Sequence, residues 1–171
     1  ISLKKVWEFN HEPDNRLWSV TERPGAFRIR SGIISNKLEE AVNVLTQRLM
    51  FPGCEITVTL DARGLNTGDY AGLCALQGCF GFIAIKKEED GIYLVMFGKK
   101  PEDLTLEGKA HWDQGTEYGR IRMEEEVVTL KMRADFDQMK DEAEFYYKIG
   151  EGWEKLGITQ KLYFKMDHFT G

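Results

Sequence analysis

No apolar stretch of the 171-residue sequence approaches the ~20 residues that a helix needs to cross a bilayer. The first residues, "ISLKKVWEF", also lack the long apolar region of a secretory leader, although a mature secreted chain reads the same way. The compartment therefore stays open between cytoplasm and secretion. A basic stripe is missing too: the net charge is -5, with acids and bases interspersed, which argues against a nucleic-acid partner. The three cysteines, Cys54, Cys74 and Cys79, form no CxxC pair and sit among apolar residues. They read as buried free thiols rather than as a disulfide framework or a zinc site. His11, His111 and His168 are far apart and belong to no HExxH or HxH motif, and neither a serine-nucleophile motif nor a phosphate-cradling glycine loop is present. No repeat, proline-rich linker or low-complexity tract divides the chain, so residues 1–171 read as one domain, whose 42% hydrophobic residues suffice for a core.

What the sequence does contain is mostly period-two pattern. "CEITVTLD" alternates Ile56, Val58 and Leu60 with polar residues, and "VVTLKMRAD" alternates Val128, Leu130, Met132 and Ala134 in the same way. Both read as strands with one buried face. Between them, "YAGLCALQGCFGFIAIKKEEDGIYLVMF" reads as three short strands broken at Gln77-Gly78 and at Glu89-Asp90-Gly91, where Asp-Gly signals a hairpin. Further strands are expected near residues 5–9, 17–20, 26–30, 43–49, 143–149 and 153–156. Only "NKLEEAVNVL" has helical character. Many short strands with almost no helix predict an all-β, antiparallel β-sandwich.

Catalytic signatures are scarce. Paired carboxylates could serve glycoside hydrolysis, but "KKEED" and "RMEEEV" read equally as solvated turns and strand ends. Binding has more support. Four tryptophans and six tyrosines include several in polar surroundings: Trp18, Tyr70, Trp112 and Trp153. A sugar site combines flat aromatics with amide, carboxylate and guanidinium groups, which these stretches supply. The competing reading makes Trp7 and Trp18 anchors of a sandwich core.

Four strings, "WEFNHEPDNRLWSVTERPGAFRIR", "NVLTQR", "GDYAGLCALQGCFGFIAIKK" and "AEFYYKIGEGWEKLG", resemble in order and spacing the C-terminal β-sandwich domain of family-43 glycoside hydrolases, the β-xylosidases and α-L-arabinofuranosidases. The resemblance runs from about Trp7 to Gly171. It implies a concanavalin A-like jelly roll that follows a catalytic five-bladed β-propeller, of which no blade is recognisable in this sequence. By that resemblance the chain is an accessory domain: it binds xylan or xylo-oligosaccharide, shapes the propeller's active site, or serves as a structural support alone. A self-sufficient hydrolase is the remaining alternative, and copies of the chain itself are a further partner. The family's active-site loop corresponds to "DHFTG", so His168 and Phe169 take that role by resemblance. Where many relatives place an aromatic residue before Phe-Thr-Gly, this chain has His168. In the family, two closing strands follow that motif, and the sequence stops at Gly171. The jelly roll is therefore expected to lack its last strands here, or to have them supplied by other polypeptide.

Polar residues within otherwise apolar strands nominate Gln47, Arg48, Asp69, Tyr70 and Gln77 for sugar contact, together with Trp153 in its glycine-flanked turn. With Leu45 and Leu49 facing inward, Gln47 shares their parity and Arg48 opposes it. The alternative is a buried structural network, for example Arg48 paired with Asp69. No cofactor is required by this reading. A structural calcium ion is expected where Asp14, Asn15 and Glu22 offer hard oxygen ligands. In "NHEPDNRLWSVTERPG", Pro13-Asp14-Asn15 and Arg23-Pro24-Gly25 are turn chemistry around a short strand centred on Trp18. His11, Asn15 and Glu22 then fasten the domain to itself or to a propeller.

Overall fold

The structure is a computed structural model and describes residues 2–77, 79–100 and 115–162. Two sheets face each other. One carries β5 (Gly53–Asp61), β10 (Val127–Asp135), β11 (Glu142–Ile149) and β12 (Gly152–Lys155) in the order β12-β11-β10-β5, with β13 (Gln160–Lys161) also paired to β11. The other runs β6-β7-β8-β9, from β6 (Tyr70–Ala75) through β7 (Phe80–Glu88) and β8 (Gly91–Lys99) to β9 (Thr116–Met123). All pairings are antiparallel. Ahead of them, the N-terminal segment forms two small sheets, β1 (Glu8–Phe9) with β4 (Leu45–Thr46) and β2 (Trp18–Ser19) with β3 (Arg28–Ile29).

The alternation in β5 and β10 reflects the core directly. Val128, Leu130, Met132 and Ala134 are buried, and together with Ala143, Phe145 and Tyr147 of β11 they meet Ile83, Ile85, Leu94 and Met96 of the opposite sheet. Their outward partners are polar, including Thr59 and Thr129, which pair across the strands and hydrogen-bond at 2.9 Å. β7 behaves differently: Phe80 to Ile85 are buried without a break, because the sheet that contains it is covered on both faces. The Glu89-Asp90 turn joins β7 to β8 as the Asp-Gly signal predicts.

Three elements differ from the sequence reading. "NKLEEAVNVL" gives only a single 3-10 turn over Leu38–Glu40, followed by Asn43 in the left-handed region at φ 63°. β9 goes unread because a register shift opposite Met96 and Phe97 skips Tyr118, so the apolar residues Tyr118, Ile121 and Met123 no longer keep a period of two. β4 ends at Thr46, which leaves Gln47 and Arg48 both exposed instead of facing opposite ways. Trp7 is also no core anchor, being 36% exposed.

At one end of the core, Gly81 pairs with Gly98 on the adjacent strand, and the space without side chains holds Gln160. Gln160 is fully buried and donates from Nε2 to the carbonyl oxygens of Lys99 and Lys161, both at 2.9 Å. A Cβ at Gly98 would lie 2.1 Å from Gln160 Oε1 and 3.3 Å from the Tyr118 ring. Because those two bonds pin Gln160, the intruding methyl must displace it. Gly98→Ala is therefore expected to cost about 1–3 kcal/mol in urea unfolding. In a Gln160→Ser background the penalty should shrink, and equal penalties in the two backgrounds would contradict the steric cause.

Candidate functional site

The outer face of the β6–β9 sheet carries the densest group of aromatic and charged side chains. Register fixes its rows: Cys74, Phe82 and Phe97 lie side by side across three strands, as do Gly72, Ala84 and Val95, and then Tyr70, Lys86 and Tyr93. Phe82 and Phe97 stack at 5.2 Å with planes 8° apart, and Phe80 continues the stack at 6.1 Å. Gly72 and Ala84 are too small to fill the middle row, and the Tyr70 ring leans into that gap, edge-on to Phe82 at 6.2 Å and Phe97 at 6.0 Å. Leu38 from the N-terminal segment packs on this second cluster. Cys74 lies against it, and desolvation pushes its thiol up to about 11. Cys54, Cys74 and Cys79 form no disulfide bond.

Past Tyr70 the face becomes charged. Arg120 binds Glu88 at 2.9 and 3.0 Å and Glu117 at 2.8 and 2.9 Å, with its guanidinium 4.7 Å from the Tyr93 ring centroid. Lys86 pairs with Glu88 at 2.7 Å and lies 5.3 Å from the Tyr70 ring. Arg120 first, then Lys86, holds the Glu88 carboxyl at about 2. On the opposite sheet Lys155, with Tyr146 and Thr159, holds Glu144 at about 2. Asp14, Asp61 and Asp135 are shifted down as well, each by a basic neighbour. Among the described residues, every carboxylate with a displaced pKa is displaced downward by a basic neighbour.

The six nominated sugar contacts do not converge on one point. Asp69 precedes β6 and accepts from the Asn66 backbone N–H at 2.9 Å and from Asn66 Nδ2 at 3.4 Å, a turn-capping role in place of a pair with Arg48. Tyr70 lies within the aromatic rows. Trp153 is on the other sheet, 36% exposed, with the Lys131 ammonium 4.5 Å from its ring and 5.1 Å from that of Tyr146. Gln47 and Arg48 follow β4 at the surface.

Gln77 stands apart. It sits in the connection from β6 to β7, where the aromatic rows begin, and is 6% exposed with neither Oε1 nor Nε2 hydrogen-bonded. Its neighbour Cys79 is fully buried. Burial of this amide was not readable from sequence, since "LQG" reads as an ordinary turn. The loop residues His168 and Phe169 lie outside the described residues, as do His111 and Trp112.

The expected calcium ligands are each engaged by a neighbouring donor. Asp14 binds Arg16 through both oxygens at 2.9 and 2.7 Å, Asn15 Oδ1 accepts from Trp18 Nε1 at 2.9 Å, and Glu22 bridges Arg28 and Arg30. These bonds make "NHEPDNRLWSVTERPG" a self-fastened loop. It is anchored by Trp18 between Phe9 and Phe27 at 5.4 and 5.8 Å and tied to the sandwich through Arg23 and Asp61.

Two facing antiparallel sheets with a glycine-lined, doubly covered second sheet define a concanavalin A-like β-sandwich. The sequence pattern of the β-xylosidase C-terminal concanavalin A-like domain matches residues 2–171, and the chain belongs to that family. Among curated proteins it is similar to a β-xylosidase of Formosa agariphila, 29% identical over 119 residues covering 55% of this chain. A putative β-xylosidase of Xylanibacter ruminicola is 27% identical over 94 residues, again 55% of this chain. The chain covers only 20% and 17% of those two proteins. Among solved structures, a bifunctional GH43-CE protein of Bacteroides eggerthii superimposes with a TM-score of 0.85 and 32% identity over 96% of this chain and 20% of its own. An engineered GH43 glycoside hydrolase with endo-xylanase and exo-arabinofuranosidase activity matches with a TM-score of 0.83 and 23% identity, over 93% of this chain and 32% of its own, a likeness of fold.

The depressed carboxylates set an acid sensitivity. Glu88 and Glu144 move from the usual 4.5 to about 2, so their ion pairs stabilise the fold above the usual carboxylate range. That stabilisation is lost as pH falls from about 4.5 toward 2. Urea midpoints should fall through this window. Glu144→Gln should start lower at pH 7 and fall less steeply, while parallel wild-type and variant curves would contradict the assignment.

Proposed function

We propose that the chain is the accessory domain of a xylan-degrading family-43 glycoside hydrolase, docking on that enzyme's catalytic propeller and binding xylan or xylo-oligosaccharide without cleaving it. Family membership and the small share of each relative that the chain covers support the accessory role. Gln77 carries the sugar-binding part, and because its side chain is buried, sugar must displace the groups that cover it. A buried primary amide with no partner costs about 1–3 kcal/mol, and an apolar residue of similar size would remove that cost. An amide presents an acceptor beside two donors, the complement of neighbouring sugar hydroxyls; Phe80, Phe82 and Phe97 are buried, so the ring that can meet the C–H face of a pyranose is the half-buried Tyr70. Tyr70 and the adjacent Lys86 extend the same face. Asp69, Gln47, Arg48 and Trp153 contribute to this reading less directly, since each lies elsewhere on the surface or is committed to a neighbour.

A second reading makes the domain a structural support for the propeller's pocket, with no sugar contact of its own. The commitment of Asp69 to Asn66 and of Trp153 to Lys131 favours it. Affinity electrophoresis in gels containing soluble xylan separates the two. The sugar-binding reading expects wild-type migration to be retarded, and Gln77→Leu to weaken binding about tenfold, or ~1.4 kcal/mol, with stability unchanged or raised. Unretarded wild-type protein would leave the structural reading standing.

A further inference from the structure

Three side-chain oxygens of the N-terminal segment are buried with no hydrogen-bond donor: Asn10 Oδ1, Glu39 Oε2 and Asn43 Oδ1. The β1–β4 ladder and the 3-10 turn gather the residues that carry them. The Asn10 N–H donates to Val44 O at 3.2 Å, next to Asn43, while Asn10 Nδ2 and His11 Nε2 both donate to Glu39 O, at 3.1 and 2.7 Å. Asn43 is 2% exposed and donates from Nδ2 to Asp14 O at 3.1 Å. These bonds fix both amide orientations, because a backbone carbonyl can only accept. Each Nδ2 must face its carbonyl, so each Oδ1 is the atom left over.

What these atoms lack is positive charge or protons. Water could satisfy them only through more than one molecule, and one of the three belongs to a carboxylate, the costliest group to bury alone. A hard cation shared among them would satisfy all three. Amide and carboxylate oxygens are the ligands of calcium, whose irregular coordination accepts such a mixed set, with water completing it. The imidazole nitrogen beside these oxygens, His11 Nε2, is occupied as a donor to Glu39 O, which disfavours softer metals.

We infer that Asn10, Glu39 and Asn43 form a calcium site that locks β1 to the Leu38–Glu40 turn. Leu38, one residue before Glu39, packs on the aromatic face, so the ion would also set how that face is covered. The ligands are not the Asp14, Asn15 and Glu22 set expected from sequence, and the inference is independent of sugar binding. With one carboxylate, affinity falls at the weak end of calcium sites, Kd about 10⁻⁴–10⁻³ M.

Calorimetric titration of the EDTA-treated chain with CaCl2, paired with thermal unfolding, tests this. One bound calcium ion is expected, with Tm raised on the order of 5 °C at about 10 mM calcium. Glu39→Gln, which keeps the shape and removes the charge, should abolish both heat and shift. Glu125→Gln, at an exposed acid outside the site, should change neither. Absence of heat and of a Tm shift in the wild type would overturn the inference. So would a response that survives Glu39→Gln, or one that Glu125→Gln reduces equally.

Discussion

The β6–β9 sheet is apolar on both faces, and the rest of the structure follows from the need to cover it twice. Its inner face, with Ile83, Ile85, Leu94 and Met96, is covered by β10 and β11. The outer face presents Phe80, Phe82 and Phe97, too much aromatic surface to leave in water. Leu38 of the N-terminal segment is one of the groups laid over it, which explains why residues 2–50 pack on the sandwich while holding little regular structure of their own. The segment's stability comes instead from short-range polar fastening, with Asp14 on Arg16, Asn15 on Trp18 and Glu22 on Arg28.

That arrangement separates stabilising from binding chemistry. The charged groups with displaced pKa values, Glu88 and Glu144 among them, are satisfied by adjacent bases and act as fasteners. The groups left unsatisfied are neutral amides and one carboxylate, concentrated at Gln77 and around Asn10, Glu39 and Asn43. Gln160 shows the contrast: it too has an unpaired Oε1, but its Nε2 makes two bonds and its side chain fills the Gly81–Gly98 space, a structural task. Gln77 has neither bond nor such a task among the described residues.

The sandwich was legible wherever a strand has one dry and one wet face. β5 and β10 are read correctly because Ile56 and Leu130 alternate with Thr57 and Lys131. β9 was not, because its register shift breaks the period exposed by Ile121 and Met123, and "NKLEEAVNVL" misled because Leu38 packs on the aromatic face and Leu45 pairs in β4, so its apolar residues form no helix stripe. The family resemblance, carried by separate strings in fixed order, agrees with the match over residues 2–171. The site was less legible. Sequence offers polar residues but not their partners, so Asp14 and Glu22 looked free although arginines two to eight positions away occupy them. Gln77 was nominated from its apolar surroundings, and the structure adds that it is buried and unpaired.

The proposed sugar site is the half-buried Tyr70 and Lys86 margin of the outer β6–β9 face, with the buried aromatic rows and Gln77 behind it. Titrating isotope-labelled protein with xylohexaose and following backbone amide shifts by NMR tests it most directly. Sugar bound there is expected to shift the amides of Tyr70, Gln77, Phe82 and Phe97 and to leave the strands β11 and β12 unmoved. Shifts centred instead on Trp153 and Tyr146, or none at saturating sugar, would contradict it.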